Sequence, residues 1–154
     1  MLTWKLRITV LWVFLAVCQS AAAMALLMFG PGVIHDLMDG QLWGYNTHSA
    51  AIQINIVLFW LVPAAMAYLT LVLKDAANRW TNAVVGAVSA LFALSTLISQ
   101  PAGMSAGVNF VMTVGLLVAL LIVWQAWKWP RGAEVPPPRQ SQETTRQSRE
   151  PTRY

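Results

Sequence analysis

Two groups of side chains in this sequence have the types and spacing for chemistry. The first is His35, Asp36, Asp39 and His48. On a helix, residues four apart share a face, so His35 and Asp39 would present an imidazole and a carboxylate together. His48 could then fold over them as a third ligand, the donor set a zinc ion takes. The competing reading is a solvated polar face of a surface helix. The second group is uncharged: Gln19, Ser20, Gln53, Asn55, Ser89, Ser95, Thr96, Asn109 and Thr113. Such residues either line a watery path or hydrogen-bond neighbouring helices, and the second use is the commoner in membranes. Gln19, Asn55 and Asn109 are accordingly assigned to a polar bundle interior. No catalytic residue, cofactor site or established metal site is assigned, and no enzyme activity is expected.

Much other chemistry is excluded. Cys18 is the single cysteine, so an intrachain disulfide, a multi-thiolate metal site and paired-thiol redox chemistry are all out of reach. Both histidines fall in one polar segment, which leaves none facing each other between helices to hold haem. No nucleophile elbow is present.

The elements that position these residues are read from hydropathy. Apolar residues make up 57% and charged residues 10%, against roughly 25% charged in soluble domains. A spanning helix needs about 20 mostly apolar residues. Four windows serve: Ile8 to Met28, Ile52 to Leu73, Ala83 to Ile98 and Ala106 to Ala126. The third is the shortest. No Asp, Glu, Lys, Arg or His falls inside any of the four windows, which argues against proton-coupled transport. Ala23-Met24-Ala25 resembles a signal-peptide cleavage site, but the apolar run continues for a full span and is read as one.

All ten Lys and Arg lie in the N-terminal segment, between Lys74 and Asn82, or from Lys128 onward. By the positive-inside rule these three regions are cytoplasmic, and the segments 29–51 and 99–105 are outside. The net charge of +4 therefore orients the chain in a bilayer and does not point to nucleic acid. In the first outer segment, Pro31 suits a helix start and Gly40 a stop, so a short interfacial helix is expected. Residues 131–154, with Pro136-Pro137-Pro138 and a polar remainder, read as a disordered cytoplasmic tail after a four-span domain covering 1–130.

The expected fold is an all-α four-helix transmembrane bundle with both termini cytoplasmic. Small residues at multiples of four (Gly103, Gly107, Gly115 and Ala119; Gly86 and Ala90) allow close helix approach within it. Gln19 lies near mid-depth, where it could satisfy the Phe59 carbonyl that Pro63 deprives of a helical N–H. Asn55 and Asn109, with Gln53 and Gln100 above them, are expected to close the outer end of the bundle.

Asn78-Arg79-Trp80-Thr81-Asn82 followed by Gly86 carries a resemblance. With Pro31, Val33 and Gly40, then Pro63 and Met66, then Trp124, Ala126 and Trp127, the chain resembles a family of small bacterial four-helix membrane proteins catalogued as a domain of unknown function. The resemblance covers roughly residues 5 to 129, as spaced by those motifs. It implies the same fold and a bacterial plasma membrane, and brings no activity with it. The fourth span departs from the family pattern: Val108-Asn109-Phe110 stands there without an acidic residue.

The leading expectation is a structural or accessory membrane subunit, alone with lipid, as a homo-oligomer or in a larger membrane complex. The alternative is a small channel or facilitator for an uncharged solute, and a membrane-embedded enzyme comes third.

Overall fold

A computed structural model describes residues 2–42, 45–99 and 104–129. Four helices are long and apolar enough to cross a membrane: α1 (Leu2–Phe29), α3 (Ala50–Val72), α4 (Asp75–Ile98) and α5 (Ala106–Trp127). Between α1 and α3 lie a short helix, α2 (Val33–Met38), and a two-stranded antiparallel hairpin, β1 (Gln41–Leu42) with β2 (Tyr45–Asn46). The tail 131–154 lies outside the described residues.

Each long helix is apolar around most of its circumference, so burial inside the bundle is confined to a stripe and the rest faces outward. On α1 the stripe is Ile8, Trp12, Leu15, Cys18, Ala22 and Leu26, spaced by three or four residues as one helix face requires. On α5 it is Val108, Gly115, Val118, Ala119, Ile122 and Ala126. These two stripes run nearly the full helix length. Those on α3 and α4 do not. On α3 only Pro63, Met66, Ala67 and Thr70 are buried, and on α4 only Asn78, Asn82, Gly86 and Ala90.

The asymmetry follows from how the helices neighbour one another. α1 packs against both α3 and α5, and α5 packs against α4, whereas α3 and α4 touch sparsely. α3 and α4 are held together at one end by the turn at Leu73–Lys74 and diverge toward the other. The joined end also carries Lys5, Arg7, Arg79 and Lys128, and is called here the basic end. The opposite end carries α2 and the hairpin.

Close approach of α4 and α5 depends on Gly86. A Cβ placed there would come within 3.1 Å of Val123 Cγ2 and 3.2 Å of Ile122 Cγ2. Gly115 faces Leu15 and Cys18 of α1 at ordinary contact distance, while Gly107 faces open space. The small residues at 86, 90, 115 and 119 thus serve packing inside the bundle, Gly107 does not, and Gly103 is outside the described residues.

Two boundaries differ from expectation. The third span begins at Asp75, eight residues before Ala83, so the segment that reads as a cytoplasmic loop is the first two turns of α4. Its Asn78 and Asn82 are fully buried and satisfy each other across one turn, which removes the usual objection to Asn within a helix. The short helix starts at Val33 behind a left-handed Gly32 (φ 74°), two residues after Pro31. It ends at Met38, and Gly40, also left-handed (φ 70°), turns the chain into the hairpin, which sequence reading did not anticipate. Both positive φ values suit glycine, which has no Cβ to clash.

Candidate functional site

Polar side chains inside the bundle fall into two sets of opposite character. At the basic end, the Trp12 indole N–H donates to Asn82 Oδ1 at 2.6 Å, and the Thr70 hydroxyl lies 3.1 Å from the same oxygen while donating to the Met66 carbonyl at 2.7 Å. Asn82 Nδ2 donates to the Asn78 carbonyl at 2.8 Å and to Asn78 Oδ1 at 2.6 Å. Asn78 Nδ2 donates to the Thr70 carbonyl at 2.6 Å. Every member is fully buried and bonded. This network joins α1, α3 and α4 across the bundle centre, and Ile8, Ile122 and Trp129 pack with Trp12 in the same core. Lys5 closes the end below it, donating to the Leu73 carbonyl at 2.7 Å and pairing with Asp75 at 3.3 Å.

Sequence reading did not include Thr70 in its polar set. It missed Asn78 and Asn82 because the basic residues Lys74 and Arg79 mark the segment as a loop. The signal was present: Asn78, Asn82, Gly86 and Ala90 recur every four residues, extending the small-residue stripe backward along one face.

The second set surrounds a cavity of 270 Å³ where α3 and α4 part. Leu15, Cys18, Gln19 and Ala22 of α1 form its back wall with Val111, Met112 and Gly115 of α5. Asn55, Phe59 and Pro63 line one side and Ser89, Phe92 and Thr96 the other. The Phe59 and Phe92 rings meet across the gap at 5.9 Å between centroids. The lining is largely apolar and contains no Asp, Glu, Lys, Arg or His.

Gln19 therefore sits where α1 faces α3, on the same cavity as Phe59 and Pro63. It does not bond the Phe59 carbonyl. Its Oε1 is buried with no hydrogen-bond partner among the described residues. Gln19 and Phe59 line one cavity without a hydrogen bond between them. Asn55 opens onto the cavity, and Asn109 is partly buried elsewhere, its carbonyl accepting from the Thr113 hydroxyl at 2.8 Å. The two asparagines thus do not form a common closing layer. Gln53 turns away to donate to the Thr47 carbonyl at 3.2 Å, and Gln100 lies outside the described residues.

The third expected site is not assembled. His35 Nδ1 and Asp39 Oδ2 are 3.2 Å apart, as their spacing on α2 requires, but both side chains are largely exposed. His48 does not join them. Its ring lies against Gly40, where a Cβ would meet Nε2 at 2.7 Å, and its backbone N–H donates to Asn46 Oδ1 at 2.8 Å. Among the described residues no group of three His, Cys, Asp or Glu is placed to hold a metal ion.

Fold and site together define a multi-span helical membrane protein, sealed by a bonded polar network at one end and parted at the other. No family model, curated protein or solved structure matches the chain.

Proposed function

We propose that this protein is a structural or accessory subunit of a bacterial plasma membrane, with its basic end and both termini in the cytoplasm. The observation that carries the reading is the network of Trp12, Thr70, Asn78 and Asn82. A facilitator needs a polar path through the whole bilayer, and here Trp12, Thr70, Asn78 and Asn82 in the basic-end half are bonded to one another, with none of the four left to bind a passing solute. The cavity lining holds no Asp, Glu, Lys, Arg or His, which argues in the same direction, because coupled transporters rely on such groups. Three cation–aromatic pairs, Arg7 with Trp4, Arg79 with Trp80 and Lys128 with Trp124, support a cytoplasmic interface at that end, where basic and amphipathic aromatic residues collect.

The test is purification from the native membrane in mild detergent, with identification of co-migrating proteins. A stoichiometric partner or a defined homo-oligomer supports the subunit reading, and a lone monomer counts against it. The facilitator reading is checked by solute flux into proteoliposomes: uptake of a small neutral solute that depends on the protein would replace the first reading with the second.

A further inference from the structure

The cavity between α3 and α4 differs from the network in one respect that matters in a membrane. Other membrane-depth hydroxyls, Thr96 on the same cavity wall among them, find partners: Ser20, Thr96 and Thr113 bond carbonyls of their own helices, as Thr70 does. Three polar side chains on the cavity wall have no hydrogen bond among the described residues. They are the Gln19 amide from α1, whose Oε1 is buried, the exposed Asn55 amide from α3 and the partly buried Ser89 hydroxyl from α4. An amide or hydroxyl left unpaired away from water costs several kcal/mol. Here the buried Gln19 Oε1 is left so, with Asn55 and Ser89 from two further helices on the same lining.

Their placement restricts what can satisfy them. Gln19 is ten residues before the end of α1 at Phe29 and Ser89 nine before the end of α4 at Ile98. At 1.5 Å per residue both lie about 14 Å below the hairpin end, near the bilayer centre. Asn55, five residues into α3, lies about 7 Å below it. A charged phospholipid headgroup belongs at the interface, and nothing on these walls would compensate its charge at mid-depth. The cavity opens sideways between two helices whose outward residues (Ile54, Val57, Leu61, Val88, Leu91) are exposed and apolar, so entry is from the lipid. Its 270 Å³ is well above the roughly 150 Å³ cavity that accommodates benzene.

We infer that this cleft is a binding site for a neutral, membrane-dissolved amphiphile with a hydroxyl group, its apolar body lying against Phe59 and Phe92 and its hydroxyl at Gln19 and Ser89. A hydroxyl is the smallest group that meets both needs: it donates to Gln19 Oε1 and accepts from an amide N–H or from Ser89. A ketone or ether accepts only and leaves Oε1 unpaired. The inference stands apart from the subunit reading, since a monomer can hold such a guest and a subunit can lack one.

The test uses the full chain in lipid nanodiscs and three photoreactive probes. Each has the same mid-chain diazirine on a long alkyl chain, ending in a primary alcohol, a methyl ether or a carboxylate. The alcohol is expected to label 55–63 and 88–96, with the ether and carboxylate about tenfold weaker, the order set by one unmade buried hydrogen bond. Gln19→Leu is expected to bring alcohol labelling down to the ether's level, and Ala93→Phe, which fills the cavity, to abolish it. Should Gln19→Leu fail to fold, Ser89→Ala at a partly buried position is expected to reduce the preference for alcohol over ether. Equal labelling by all three probes overturns the inference and leaves a cleft filled by acyl chains or water. So does labelling indifferent to Ala93→Phe, or protection of both segments by a co-purifying protein helix.

Discussion

The Trp12 indole nitrogen and Asn82 Oδ1 are 2.6 Å apart, although they lie 70 residues apart in sequence and on helices that are not packed neighbours. Asn82 is the hub: its oxygen accepts from Trp12 with the Thr70 hydroxyl 3.1 Å away, and its amide donates twice to Asn78. Asn82→Leu strands the Trp12 N–H and Asn78 Oδ1, and is expected to destabilise the bundle by about 1–3 kcal/mol. Trp12→Phe leaves the Thr70 hydroxyl beside the Asn82 oxygen and should cost less. Detergent unfolding of both single variants and the double variant is the measurement. The double variant should be less destabilised than the sum, by about 0.5 kcal/mol or more. An Asn82→Leu protein as stable as the parent would show that the network contributes nothing.

Lys5 caps the α3–α4 turn by two contacts of unequal strength. Its bond to the Leu73 carbonyl is sheltered, with the Lys5 side chain 16% exposed, whereas Asp75 is 42% exposed and screened by solvent. Lys5→Met is therefore expected to lower stability by about 1 kcal/mol, and Asp75→Asn by less. Raising the salt concentration should shrink the Asp75→Asn effect and leave most of the Lys5→Met effect. Equal effects of the two variants at low salt would contradict the ranking.

Two glycines at similar sequence signals should respond oppositely. At Gly86 an added methyl meets the Val123 and Ile122 methyls at 3.1–3.2 Å, so Gly86→Ala should cost modestly and Gly86→Val considerably more, about 1–3 kcal/mol. Gly107 has open space around it, so Gly107→Ala should leave stability unchanged or slightly raised. Thermal unfolding in detergent ranks the three variants directly.

Orientation is tested with single cysteines in a Cys18→Ala background. Cysteines replacing Arg7 and Arg79 should react with an impermeant thiol reagent from the cytoplasmic side, and those replacing Asp39 and Ser105 from the other. Reaction of positions 39 and 105 from the cytoplasm would reverse the proposed topology.

The four spans were legible because an apolar run of about 20 residues has few other uses. Their depth was legible too, which is why Gln19 was expected near mid-depth. Their partners were not. Helical rise locates a residue along the membrane normal and says nothing about the distance between helices. Gln19 and Phe59 do reach one cavity, yet no hydrogen bond joins them. The inner start of α4 was obscured for a different reason. Lys74 and Arg79 weigh on hydropathy as loop residues do, whereas the local geometry that lets Asn78 and Asn82 bond each other within a helix is invisible to a hydropathy sum.

The order in which synthesis delivers the helices sets a constraint of its own. α5 is the last made, and it packs extensively against both α1, the first, and α4. Gly86 on α4 and Gly115 on α5 have their close neighbours in those same interfaces. A nascent chain that has released α1, α3 and α4 into the bilayer can form the Trp12–Asn82 bond and the Lys5 cap, but α1 and α4 still lack the helix that lies between them. Chains truncated before residue 106 would therefore present two unmated faces to the lipid, and completion of the bundle waits on its final segment.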